Sequence, residues 1–180
     1  MFIQTQKTPN PNSLKFIPGK DVSKVGSFEI TNKEDTENEL VKNILLTDGV
    51  TGVFLSKDFI SVNKKENIEW EDLKHIIISL INDFYLAGNE FILGEKRSVE
   101  LNSQLSEIEE KIIDILDTKI RPAVARDGGD ITFKEFQNGI VKVKLQGSCS
   151  GCPSSTMTLK QGVKNLLCHY IPEVKEVLAV

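Results

Sequence analysis

The stretch Gly147-Ser148-Cys149-Ser150-Gly151-Cys152-Pro153 constrains this chain more than any other. It places a Cys-x-x-Cys pair between a strand pattern and a helix pattern, so both sulfurs are expected on a tight turn ahead of a helix. Two thiolates at that spacing can share a metal, but a tetrahedral zinc, iron or iron–sulfur site takes about four ligands. The chain offers one further cysteine, Cys168, and two histidines, His75 and His169. Three outcomes follow: a second copy completes the site, the pair does redox chemistry, or the ligand set is left incomplete.

The expected position suits a thiolate. Unpaired backbone N–H groups at a helix start favour an anion by roughly 0.3–1 kcal/mol, and such sites lower cysteine pKa values. Pro153 fits the first helical turn, where its missing N–H costs little. Gly147 and Gly151 permit positive φ and close backbone approach. Ser148, Ser150, Ser154 and Ser155 are placed to donate hydrogen bonds to sulfur, and the whole pattern reads as a sulfur site near the surface. Cys168 lies about four helical turns beyond Cys152 by axial rise. It reads as a buried helix residue, His169 as a helix-end residue and His75 as a solvated one. A zinc site would therefore need two chains. A thioredoxin-like dithiol places its cysteines similarly, but a hairpin before them is the wrong order for that fold. Soft thiolates select iron–sulfur clusters, and two chains together would supply four cysteines.

A net charge of −4 leaves no basic stripe to track phosphates, which argues against nucleic acid. The longest apolar run, Ile76-Ile77-Ile78, is too short to span a bilayer, so no membrane role is expected. Three cysteines fit a reducing compartment. The first residues show no signal or transit pattern, and the expectation is a bacterial-type cytoplasmic protein.

The fold class expected is α+β, in two small domains. Residues 1–88 form the first, 89–103 a polar linker and 104–180 the second. The first reads as strands near 2–5 and 13–17, a helix over 36–46, a hairpin of 52–56 with 59–63, and a helix over 70–85. The second opens on a capping box, Ser106 to Glu109, ahead of a helix bearing Ile108, Ile112, Ile115, Leu116 and Ile120. Pro122 should kink or restart that helix. Strands over 131–136 and 140–145 flank Asn138-Gly139, a strong hairpin signal. A helix over 155–169, with Met157, Leu159, Val163, Leu166 and Leu167 as core candidates, precedes a strand over 174–180. The order is α-β-β-α-β. Asp127-Gly128-Gly129-Asp130 reads as a helix stop with glycines in positive φ, or as a segment that lies near a bound cluster and biases client docking.

Arg121-Pro122-Ala123-Val124-Ala125-Arg126-Asp127-Gly128-Gly129-Asp130, followed by the cysteine motif and Ser154-Ser155-Thr156-Met157-Thr158-Leu159-Lys160, resembles the C-terminal domain of NifU-type (Nfu) iron–sulfur scaffold and carrier proteins. Gln4-Thr5-Gln6-Lys7-Thr8-Pro9-Asn10-Pro11-Asn12-Ser13-Leu14-Lys15-Phe16, with Gly49-Val50-Thr51-Gly52-Val53-Phe54, resembles the N-terminal domain that accompanies it. The resemblance implies a non-enzymatic carrier of a [4Fe–4S] cluster, a [2Fe–2S] form being left open. Cys149 and Cys152 of each copy in a homodimer would be the ligands. It also implies upstream assembly proteins as donors and apo iron–sulfur enzymes as clients. The reading from another class is a dithiol oxidoreductase or redox sensor that uses the same two cysteines without iron.

Overall fold

The structure, a computed structural model, describes residues 2–91, 105–150 and 153–180. Most of the expected linker, together with Gly151 and Cys152, lies outside the described residues. The chain divides into two compact units, Met1–Lys96 and Arg97–Val180, each mixing helices with a sheet. The α+β class holds for both.

The N-terminal unit is built on a five-stranded antiparallel sheet in the order β1-β2-β5-β4-β3. Its strands are β1 (Gln4–Lys7), β2 (Ser13–Ile17), β3 (Phe28–Ile30), β4 (Val50–Leu55) and β5 (Ile60–Lys64). Cross-strand partners share a face, so the pairings Leu14 with Val62 and Phe16 with Ile60 put four apolar side chains on one side. These form one core with Val41 and Ile44 of helix α1 (Glu39–Leu46) and Ile77 and Ile81 of α2 (Trp70–Leu86).

Two local differences from expectation have simple causes. Strand β3 spans only Phe28–Ile30, too short for an alternation to register in the sequence. Helix α1 starts at Glu39 rather than at 36, because Asn38 caps it by accepting the Val41 N–H at 3.1 Å. Thr36 lies outside the helix, its hydroxyl accepting the Asn38 N–H at 3.2 Å.

The C-terminal unit follows the expected α-β-β-α-β order. Ser106 and Glu109 form the full capping box at the start of α3 (Glu107–Ile115). Pro122 has no N–H to offer the carbonyl four residues earlier, and the chain absorbs this as a wide turn over Leu116–Ile120. The Arg121 N–H reaches back to the Leu116 carbonyl, and the helix resumes as α4 (Arg121–Arg126).

Strands β6 (Gly129–Gln137) and β7 (Ile140–Gly147) join through Asn138 and Gly139, both at positive φ (53° and 79°), as a tight hairpin demands. Helix α5 (Pro153–Tyr170) then carries the chain to β8 (Glu176–Ala179), parallel to β7. Ile112, Leu116, Val124, Ile131, Val141, Val163, Leu167 and Val177 form the core.

Met157 does not belong to that core; it is 74% exposed. Val163 and Leu167 are buried one helical turn apart, with Leu159 packed beside them, and Met157 precedes Leu159 by two residues. At about 100° per residue that points it to the opposite side. Cys168 is half-buried rather than buried, its thiol donating to the Val174 carbonyl at 3.1 Å. Among the described residues no helix is long and apolar enough to cross a membrane.

Gly162 sits inside α5 with nothing within 4 Å of where a Cβ would stand. Gly162→Ala should therefore stabilise the C-terminal unit by roughly 0.5–1 kcal/mol. A chemical-denaturation midpoint that failed to rise would show that something approaches the helix closely there.

Candidate functional site

Two glycine-marked chain reversals bring the site together. Helix α4 stops where Gly128 takes φ +82°, and β7 ends where Gly147 takes φ +70°. Gly129 opens β6 directly opposite Gly147 in the ladder. The loop leaving β7 folds back over this junction: the Ser148 N–H donates to the Gly128 carbonyl at 3.2 Å, and the Ser148 hydroxyl donates to the Asp127 carbonyl. Cys149 is thereby set against Gly129. A Cβ on Gly129 would stand 2.7 Å from Cys149 Sγ and 2.6 Å from the Gln146 carbonyl oxygen. Only a residue without a side chain fits between strand and sulfur.

Of the two glycines in the Asp127–Asp130 segment, only Gly128 takes positive φ. Gly128 stops the helix, and Gly129 touches the cysteine.

Helix α5 holds the other side. Thr156, in its first turn, donates its hydroxyl to the Cys149 carbonyl at 3.1 Å. The helix begins at Pro153, two residues ahead of the expected start at 155, with the proline in its first turn. The hydroxyl of Ser150 donates to the Gly147 carbonyl at 2.8 Å. Ser148 Oγ lies 4.0 Å from Cys149 Sγ, the outer limit for sulfur. These two serines give their protons to backbone carbonyls. Their effect is to rigidify the turn.

Cys149 is 6% exposed and packs with the core of its unit, so it is not the surface thiol the sequence suggested. The fold-back of residues 147–150 beneath the end of α4 is the cause. Cys152 lies outside the described residues. His75 is exposed on α2 of the N-terminal unit, and His169 is exposed at the end of α5, its ring 5.1 Å from that of Tyr170. Among the described residues no group of three or more His, Cys, Asp or Glu side chains is placed to hold a metal ion.

One pair of charges braces this junction. Arg121 Nε and Nη2 donate to the two carboxylate oxygens of Asp130, each at 2.9 Å, and Nη1 donates to Asp117 at 3.1 Å. The bond to Asp130 is the main cause holding the Arg121 guanidinium above its ordinary value, against the opposing effect of partial burial. Asp130 also accepts the Ile131 N–H at 2.8 Å. The start of β6 is therefore fixed to α4 by a two-pronged bond one residue from Gly129. Sequence reasoning gave neither residue a role. The only signal was an arginine nine positions ahead of an aspartate, with Arg126 and Asp127 between them, a spacing that by itself specifies no pairing.

Comparison with known proteins now bears on this geometry. Residues 112–178 match the NifU-like domain family, and residues 3–88 match the family described as scaffold protein Nfu/NifU N terminal. The chain belongs to the Nfu-type scaffold family.

An Arabidopsis thaliana relative, NifU-like protein 4, mitochondrial, is 45% identical over 98% of this chain and 65% of its own length. The Homo sapiens NFU1 iron-sulfur cluster scaffold homolog, mitochondrial, is 47% identical over 98% of this chain and 71% of its own length. This Nfu-type chain thus spans about two thirds of the length of these curated relatives. A NifU-like protein from Saccharomyces cerevisiae, solved in solution, shares 28% identity over 53% of this chain and 87% of its own, with a TM-score of 0.47. The expectation of a bacterial-type cytoplasmic protein is corrected here, because the relatives are named as mitochondrial proteins.

Two variants test the bracing. Gly129→Ala forces its Cβ into Cys149 Sγ and a backbone carbonyl, and should cost roughly 1–3 kcal/mol while altering the rate of Cys149 alkylation. An unchanged denaturation midpoint and labelling rate would refute the close contact. Arg121→Ala leaves Asp130 beneath the surface without its two-pronged partner and should cost roughly 2–3 kcal/mol, less than a fully buried pair because water reaches Arg121. Arg121→Lys should recover only part of this, since one ammonium cannot replace the fork. Equal stability of Lys and wild type would remove the bidentate argument.

Proposed function

We propose that this chain is an iron–sulfur cluster carrier rather than an enzyme. A [4Fe–4S] cluster is its cargo, held by Cys149 and Cys152 from each of two copies and passed to apo-proteins. Upstream assembly proteins supply the cluster. The observation that carries this reading is the placement of Cys149: a thiol packed against the side-chain-free Gly129, its carbonyl anchored by Thr156 at the start of α5, in a chain of the Nfu-type scaffold family.

The chemistry follows from what one chain has and lacks. Thiolates are the soft ligands that iron–sulfur clusters take. One chain supplies a Cys-x-x-Cys pair, and two chains supply four sulfurs. A cluster shared in this way has an edge on each side belonging to a different molecule. Client thiolates can replace carrier thiolates one at a time, each exchange forming one Fe–S bond and breaking another, with no net oxidation. A single chain enclosing the cluster with four of its own ligands would oppose that release.

Burial of Cys149 adds a gate. Its thiol is covered in one copy, so cluster uptake requires the 147–150 loop to lift from Gly129. Ser148 and Thr156 set the resistance to that movement.

Anaerobic reconstitution with iron and sulfide, followed by sizing and metal analysis, tests this reading. Wild type should give a brown dimer with about four irons and four sulfides per two chains. Cys149→Ala and Cys152→Ala should each stay colourless and monomeric. A colourless wild type that cycles a disulfide between Cys149 and Cys152 would replace the carrier with a dithiol oxidoreductase.

A further inference from the structure

The N-terminal unit carries a cleft of about 580 Å³ between its sheet edge and the start of α2. Thr5 and Lys7 of β1 lie on one side, the turn prolines Pro9 and Pro11 at one end, and Trp70 and Lys74 on the other side. Three features of this cleft agree on one kind of occupant.

The first is the edge. Strand β1 is the outermost strand of the sheet, and no described strand pairs with its outer side. Every other residue of such a strand turns its N–H and C=O outward, a template for one more strand. Thr5 pairs with Phe16 and Lys7 with Leu14, so Thr5 and Lys7 face the side of the sheet that α2 covers. A strand added outside β1 would therefore set alternate side chains at the mouth of the cleft.

The second is a fixed aromatic. Trp70 Nε1 donates to the Pro11 carbonyl at 3.0 Å, and its ring meets that of Phe16 edge-on at 6.5 Å. A half-buried indole held at both ends is a rigid apolar anchor.

The third is charge. The chain as a whole carries −4, yet this cleft is lined by Lys7, Lys74 and His75 against the single acid Glu71. Among the described residues neither Lys7 nor Lys74 is within ion-pair distance of a carboxylate. Two uncompensated ammonium groups beside an open strand edge favour an anionic partner.

We propose that this cleft docks an extended segment of a partner protein, added as a sixth strand outside β1, in which every second residue faces the cleft and these are by turns apolar and acidic. Its apolar side chains rest on Trp70 and the turn prolines, and its carboxylates meet Lys7 and Lys74. The proposal rests on the carrier reading only in supposing that the partner is a cluster donor or client; the docking itself needs no cluster.

Trp70 is the chain's only tryptophan, so its emission reports the cleft directly. The probe is a capped eight-residue peptide, Thr-Val-Thr-Glu-Thr-Val-Thr-Glu, in which valines and glutamates share one face of the strand, titrated into the full chain. Saturable change in Trp70 emission, with shifts of the β1 backbone amides in NMR spectra, is the expected result. Affinity should fall about tenfold for Lys7→Glu with Lys74→Glu, and with rising salt. A peptide N-methylated at alternate residues should bind at least about tenfold more weakly, because it cannot pair as a strand. Cys149→Ala should bind as wild type does. Equal binding of the same peptide with lysine in place of glutamate, of the N-methylated peptide, or by the doubly substituted chain would overturn the proposal, as would no binding at all. Failure of the peptide in a protein that still forms the brown dimer removes the docking site alone. Peptide binding by a protein that never takes up iron removes the carrier reading alone.

Discussion

The close approach of Gly129 to Cys149 is the constraint on which the C-terminal unit depends. A sulfur 2.7 Å from where a Cβ would be leaves no room for any other residue type, and the backbone must be delivered to that spot accurately. The preceding helix does this. Pro122 forces the wide turn over Leu116–Ile120, and Arg121, emerging from it, reaches Asp130 with both arms of its guanidinium. Asp130 follows Gly129 directly, so the ion pair fixes the first residues of β6. The ladder partner Gly147 then fixes the end of β7, from which the cysteine loop departs. A helix irregularity, an ion pair, a glycine and a thiol form one mechanical series.

That series explains how a short loop can be both rigid and releasable. Its ties are hydrogen bonds from Ser148 and Ser150 to carbonyls of the junction and from Thr156 to Cys149 itself. Each such bond nets only about 1 kcal/mol. Together they hold the thiol under cover, yet a ligand forming strong bonds to sulfur can outcompete them. A disulfide or a deep apolar seal would not allow this.

The elements themselves were legible from local chemistry. The Ser106–Glu109 box, the Asn138-Gly139 turn and the apolar period of α2 each carry their mechanism in adjacent residues, and each stands where the pattern puts it. Strand β3 was not legible, since three residues hold no period. Met157 was misjudged by counting apolar residues rather than angles around the helix. The cysteine pair was visible as a motif, but the burial of Cys149 was not, because it comes from contacts between residues 127–130 and 147–149. Spacing in sequence does not encode such contacts. The Arg121–Asp130 bond was hidden for the same reason.

The division into two units, each with its own core, gives this chemistry a second lever. A carrier whose cargo site binds loosely enough to release meets client thiolates rarely if encounter is left to diffusion. Tethering a separate recognition surface to a cargo site turns exchange into an intramolecular event and raises the effective concentration of the reacting groups. The recognition surface can then be weak and broadly specific, which suits a strand edge: main-chain hydrogen bonds accept many sequences, and a few side chains set the preference. The N-terminal unit has such an edge in β1, with Trp70, Lys7 and Lys74 beside it. Under the proposed reading, the cysteine unit would be free to balance holding against release, because the N-terminal unit would select the recipient.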